Sequence, residues 1–151
     1  MAISNHSIRL SIKASLSDVS IVGVVCRALS AEFGLSAVEC TEVELAVVEA
    51  TTNIVKYGLA DCPEADIHLS VSYQVGILEV TIEDKGIPMP DEELAKADGS
   101  VFDYDIEDMD SWPMSGMGLS LIKAVMNTVE YHTNSQGNIL KMVKNTVPPS
   151  S

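Results

Sequence analysis

Aromatic residues are scarce in this sequence: one Trp, two Phe and four Tyr make up 5% of its 151 residues. Hydrophobic residues still reach 46%, so there is material for a core, and that core is mainly aliphatic. Basic residues are also few. Nine Lys and Arg stand against 22 Asp and Glu, a formal net charge of -13 and a sequence pI of about 4.4. A surface of that sign repels phosphate backbones and anionic membranes, which sets nucleic acid and lipid aside and favours a partner with a basic face. Cysteine is limited to Cys26, Cys40 and Cys62. The odd count without a C-x-x-C pair argues against a disulfide framework and suits a reducing, cytoplasmic setting. His6, His68 and His132 lack metal-ligand spacing, so no zinc or transition-metal site is expected. Met1-Ala2-Ile3-Ser4-Asn5-His6 lacks the basic region and apolar run of a signal peptide. No stretch approaches the roughly 20 apolar residues that a membrane span needs.

What is present is a regular alternation of elements. Ile8, Leu10 and Ile12 alternate with polar residues over Ser7 to Lys13, a strand pattern. Helical spacing follows from Asp18 to Leu29, with Val19, Val22, Val25, Cys26 and Leu29 on one stripe and Phe33-Gly34-Leu35 as the stop. A second helix is predicted from Val38 to Tyr57, ended by Gly58. Val43, Val47, Ala50 and Ile54 share one face, and Glu42, Glu49 and Asn53 the opposite one. Ile67 to Tyr73 and Ile77 to Glu83 are strand-like and joined by Gln74-Val75-Gly76 as a hairpin. A long acidic segment, about 87–115, is too long for an ordinary connector. Gly118 to Asn127 is helical, and Val129 to Thr133 with Ile139 to Val143 forms a last hairpin. Residues 146–151 are expected as a disordered tail. The order β-α-α-β-β-loop-α-β-β predicts one α+β domain over 1–151, a two-layer sandwich of a mixed, mostly antiparallel sheet with helices on one face.

Three constellations carry chemistry. Glu49 and Asn53, four residues apart, share a helix face. An amide oxygen there suits Mg²⁺, and a carboxylate beside it can take a proton from an attacking hydroxyl. Glu83-Asp84-Lys85-Gly86 follows a strand directly. A carboxylate at a strand end accepts from an exocyclic amine such as that of adenine, and Gly86 leaves room for a flat base. Ser115-Gly116-Met117-Gly118-Leu119 precedes a helix, where converging backbone N–H groups favour an anion such as a di- or triphosphate. No Gly-Lys-Ser/Thr follows and a third glycine is missing, so it is neither a P-loop nor a dinucleotide fingerprint. Each signal alone also fits a blander feature: a solvated helix face, a plain turn, a glycine hinge. Their order in the chain is the stronger signal.

That order, Glu49-x-x-x-Asn53, then strand-Asp84-x-Gly86, then a long loop, then Gly116-x-Gly118-Leu119, resembles the N, G1 and G2 boxes of the GHKL ATPases, with their Bergerat-type fold. Within that superfamily the chain is similar to the anti-sigma factor serine/threonine kinases of bacterial partner-switching systems. Glu44 to Asn53, Ser115 to Gly118, Leu121-Ile122-Lys123 and Val129-Glu130-Tyr131 carry this likeness. The resemblance implies ATP and Mg²⁺ as cofactors. It implies Asn53 on Mg²⁺, Glu49 as general base, Asp84 on the adenine amine with Gly86 beneath the base, and Gly116, Met117, Gly118 and Leu119 around the phosphates. Residues 87–115 would be the ATP lid. Implied partners are a STAS anti-anti-sigma protein, phosphorylated on Ser or Thr, and a sigma factor or other regulator held by a homodimer. Three positions depart from the pattern. Trp112-Pro113-Met114 lacks a basic residue before the second glycine motif, Lys56-Tyr57 replaces a His, and Asn138-Ile139 replaces a Thr near the adenine. The loop has one basic residue, Lys96, against nine carboxylates. A nucleotide-dependent binding module with little phosphoryl transfer therefore stands as the alternative. The catalytic domain of a sensor histidine kinase is a weaker reading, for want of a helical phosphoacceptor segment.

Overall fold

The computed structural model describes residues 5–90, 93–94 and 116–146, with residues 116 and 117 as backbone alone. The expected lid, apart from 87–90 and 93–94, and Ser115 lie outside the described residues, as does the expected tail beyond Thr146. Five strands, β1 (His6–Lys13), β2 (Asp66–Gln74), β3 (Ile77–Asp84), β4 (Thr128–Asn134) and β5 (Gly137–Asn145), form one sheet in the order β1-β2-β3-β5-β4. All four pairings are antiparallel, where the sequence predicted a mixed, mostly antiparallel sheet. The helices are α1 (Leu16–Glu32), α2 (Ala37–Asn53) and α3 (Gly116–Val125). Among the described residues no helix is long and apolar enough to cross a membrane.

Period-two patterning makes the sheet one-sided. Two apolar rows cross all five strands: Leu10, Leu69, Ile82, Leu140 and Tyr131, then Ile8, Val71, Val80, Met142 and Val129. The central members of both rows are buried, and the helices cover that face. The opposite face carries Ser70, Ser72, Glu79, Thr81 and Lys141, at most half-buried. Against the covered face α1 sets Val22 and Cys26, α2 sets Val43, Ala46, Val47 and Ala50, and α3 sets Leu119 and Ile122. Where α1 crosses α2, a Cβ on Gly23 would lie 2.5 Å from Val48 Cγ2, so only glycine lets the two helices approach this closely.

Local chemistry fixes the ends. Ser15 Oγ accepts from Asp18 N (3.3 Å) and starts α1. Ser36 and Glu39 form a reciprocal capping box at α2, with bonds of 3.1 and 2.9 Å. The sequence pattern runs α2 on to Tyr57, but the α-helix ends at Asn53 and widens into a π-helical turn, Ile54–Gly58. There Leu59 N donates to Ile54 O (2.7 Å), and the wider turn presents Gly58 O to Ile87 N (2.8 Å). Lys144, buried on β5, donates to Val125 O (2.5 Å) at the C-terminus of α3 and pairs with Glu42 of α2 (3.3 Å), a cation placed where the helix dipole favours it. Thr146, expected in the loose tail, is tied down: its N and Oγ1 donate to Gly76 O at 2.8 and 2.9 Å.

The β2–β3 hairpin closes on Val75-Gly76, both left-handed, with φ of 50° and 80°. A β-branched residue is strained there, and Asn-Gly is the preferred pair for such a turn. Val75 is 64% exposed, so its side chain contributes little packing. Val75→Asn is expected to raise stability by about 1 kcal/mol, a rise of roughly 2–4 °C in Tm. Thermal unfolding followed by circular dichroism reads this, and an unchanged or lower Tm counts against strain at Val75.

Candidate functional site

A cleft of about 340 Å³ opens between α2, the π-helical turn and α3 on one side and the ends of β3, β4 and β5 on the other. Ala50, Ile54, Leu119 and Leu140 give it apolar walls, and Ile87 to Pro90 form its rim. Polar side chains enter from Asn53, Asp84, Glu93 and the two tyrosines Tyr57 and Tyr131. An apolar slot with sparse, fixed polar anchors suits a flat organic ring carrying a polar edge. Tyr131 from β4 lines the slot, and its hydroxyl accepts from Met89 N (2.9 Å). The first residues of the long loop are thereby anchored to the sheet.

At one end the last residue of β3, Asp84, is 7% exposed. Its Oδ1 accepts from Gly86 N (2.8 Å) and from Asn138 Nδ2 (3.0 Å). Both bonds fall on one oxygen, which leaves Oδ2 as the acceptor for a ligand amine. Gly86 does not line the cleft. A Cβ on it would collide with the carbonyl of Gly58, so the missing side chain makes room for the π-helical turn, where the sequence reading had it make room for a base. Gly137, at φ 134°, lets β5 begin so close that a Cβ would lie 2.6 Å from Asp84 O.

Toward α3, Glu49, Asn53 and Gly118 meet. A Cβ on Gly118 would lie 3.0 Å from Glu49 Oε2 and 3.4 Å from Asn53 Nδ2. The first turn of α3 therefore reaches the polar side chains of α2 because it carries no side chain at that point. On α2, Val43, Val47 and Ala50 are buried, whereas Glu49 and Asn53 are half-buried; Asn53 lines the cleft together with Ala50 and Ile54, and Glu49 stands one turn back, beside Gly118. Burial pushes the Glu49 carboxyl above the usual carboxylate range, with Lys56 pulling the other way. The α3 N-terminus has no acidic residue in its first turn, so no carboxylate of that turn opposes an anion there. Gly116 opens α3 and Leu119 is buried in the cleft wall. The Met117 side chain lies outside the described residues.

Chemically, the arrangement offers an acceptor for an amine at one end and, at the other, a helix N-terminus beside an amide and a carboxylate. Three residues of the site escaped the sequence reading. Asn138, noted there only as a departure, is the side chain that holds Asp84. Tyr57 and Gly58 line the cleft through a π-helical turn that a 3.6-residue period does not disclose. A register placing Asn138 opposite Asp84 was the signal, and it spans 54 residues of sequence.

The histidine kinase-like ATPase domain family matches residues 12–144. An anti-sigma F factor of Geobacillus stearothermophilus is 27% identical over 124 residues, covering 82% of this chain and 81% of the relative. One from Pasteuria penetrans is 29% identical over 108 residues, covering 70% and 68%. Among solved structures, the SiaB-SiaC complex from Pseudomonas aeruginosa is similar with a TM-score of 0.63 at 14% identity, over 91% of this chain and 88% of that chain. The RsbU and RsbW domains of a Mycobacterium tuberculosis protein give 0.61 at 13% identity, over 96% of this chain and 34% of that one. The two structural likenesses share this fold, and the family match spans both ends of the cleft. The chain belongs to the histidine kinase-like ATPase domain family.

Proposed function

We propose that the chain is an ATP-dependent serine/threonine protein kinase of a bacterial partner-switching system, which phosphorylates a STAS anti-anti-sigma protein and sequesters a sigma factor or equivalent regulator. One observation carries the reading: Glu49 and Asn53 face Gly118 at the α3 end of a cleft whose other end is Asp84. Adenine enters the apolar slot with its amine on Asp84, and the phosphates extend to the N–H groups of α3. Glu49 takes the proton of the target hydroxyl as its oxygen bonds the γ-phosphorus and the bond to the ADP oxygen breaks. A carboxylate held above its usual range is a stronger base for that task than a free one. Relatives named anti-sigma F factors and the SiaB-SiaC likeness support the choice of partners. So does the net charge of -13, which favours a basic partner face.

Among the described residues no three His, Cys, Asp or Glu gather as a metal cage. The hard amide oxygen of Asn53 fits Mg²⁺ shared with phosphates and water, the usual manner for that ion, and leaves Glu49 free as the base. Bound there, it would neutralise phosphate charge. A homodimer and a cytoplasmic setting belong to the same reading, and sedimentation velocity reads the first.

The test is transfer of labelled γ-phosphate to the cognate STAS protein. Glu49→Gln is expected to lower the rate by about 10²-fold or more while keeping ATP affinity, and Asn53→Ala to lose Mg-ATP binding. Equal labelling by wild type and Glu49→Gln removes Glu49 as the base. A second reading, a nucleotide-dependent binding module, is favoured by Trp112-Pro113-Met114, which carries no basic residue before Ser115. Capture of the regulator that follows nucleotide state, with no label transferred in wild type, selects it.

Glu49 also links function to pH. Its folded pKa is raised, so its ionised form costs stability. That cost is absent in acid, where the group is protonated folded and unfolded, and grows as pH rises through the unfolded value to the folded one. Glu49→Gln is therefore expected to unfold at a higher temperature than wild type at pH 7, the gap closing as pH falls below 4. Parallel Tm profiles across that range contradict the burial cost.

A further inference from the structure

We propose that Asn138 and Thr133 set the base preference of the cleft. As positioning residues they fix how Asp84 accepts, and so select a 6-amino purine over a 6-oxo purine. The inference rests on reading the Asp84 end as an adenine pocket.

Asn138 is 3% exposed and is absent from the lining of the cleft. It stands behind Asp84 and acts through it. One Nδ2 hydrogen goes to Asp84 Oδ1 (3.0 Å) and the other to Gly86 O (3.0 Å). Its Oδ1 accepts from Thr133 Oγ1 (2.7 Å). Gly86 N meanwhile donates to the same Asp84 oxygen (2.8 Å). Asp84, Gly86 and Asn138 thus close a ring of hydrogen bonds.

The amide orientation is dictated by its neighbours. A carboxylate and a carbonyl offer only lone pairs, so the NH₂ must face both, and Oδ1 is left to Thr133. An amide has two orientations of nearly equal shape, and the two acceptors choose between them; the Thr133 hydroxyl then donates to Oδ1 and holds the amide in place. Rotated, Oδ1 would face Asp84 Oδ1, and buried acceptors would lose their donors at about 1–3 kcal/mol each. With the ring intact, two donors on one oxygen hold the plane of the carboxylate and aim Oδ2. A fixed acceptor takes the N6 amine of adenine and opposes the O6 of hypoxanthine. A carboxylate free to turn lets water mediate between the two acceptors and discriminates less.

The experiment measures Kd for ATP and ITP by calorimetry on the full chain, since the two differ at the 6-position of the base. Wild type is expected to favour ATP by on the order of 100-fold. Asn138→Ala and Thr133→Val are each expected to shrink that ratio about tenfold, the equivalent of one hydrogen bond, while Thr133→Ser keeps it. A merely structural role lowers both affinities together and leaves the ratio intact. Should Asn138→Ala not fold, Thr133→Val at an exposed position carries the test. A wild-type preference that survives unaltered in Thr133→Val overturns this inference alone. A wild type that does not distinguish ATP from ITP overturns the adenine reading beneath it.

Discussion

The cleft depends on α2 being held by its inner face. Val43, Ala46 and Val47 have no exposed surface and Ala50 is 3% exposed. Burying a single Val-sized side chain is worth about 1.5–3 kcal/mol, more than a rim hydrogen bond contributes. One residue of rotation, 100° on a helix, would move that apolar stripe off the sheet and carry Glu49 and Asn53 away from the cleft. The contact at Gly23 braces this helix on one side, and the contact at Gly118 and the Lys144–Glu42 ion pair brace it on another. Packing therefore decides where the polar residues point, and the polar residues do not need to hold themselves there.

Packing also explains why a half-buried carboxylate can stay where it is. Glu49 is a local desolvation cost tolerated by a core that does not depend on it. At the other end the solution differs. Asp84 is the more deeply buried carboxylate, and it is satisfied by two donors drawn from the turn after β3 and from β5. Glu49 and Asp84 thus sit in contrasting surroundings, one desolvated, the other embedded in a hydrogen-bond ring.

Much of this was legible in the sequence because it is local. The alternation in β2 and β3, the α2 stripe, the Glu49-x-x-x-Asn53 spacing and the glycines entering α3 are all visible within a dozen residues. What was not legible is long-range. The strand order puts β5 between β3 and β4, and that insertion brings Asn138 to Asp84. The π-helical turn has no signature of its own, since the α-helical pattern continues through Tyr57. It follows from a backbone bond between Gly58 and Ile87 that only the folded chain contains. At Gly86 the close neighbour in the fold is the Gly58 carbonyl, which the sequence could not name, because a glycine shows that something comes close and not what.

The walls of the cleft come from α2, the π-helical turn, β3, α3, β4 and β5, nearly the whole run of the chain from its first third to its end. A nucleotide seated there touches elements that otherwise meet only through the sheet and core, and it binds the folded form alone. By mass action, a ligand at 100 times its dissociation constant adds about 2.7 kcal/mol to the stability of that form, a sizeable share of the 5–15 kcal/mol typical of a domain. Under the proposed reading, the nucleotide pool would then govern how long the chain survives unfolding and proteolysis as well as what it does while folded.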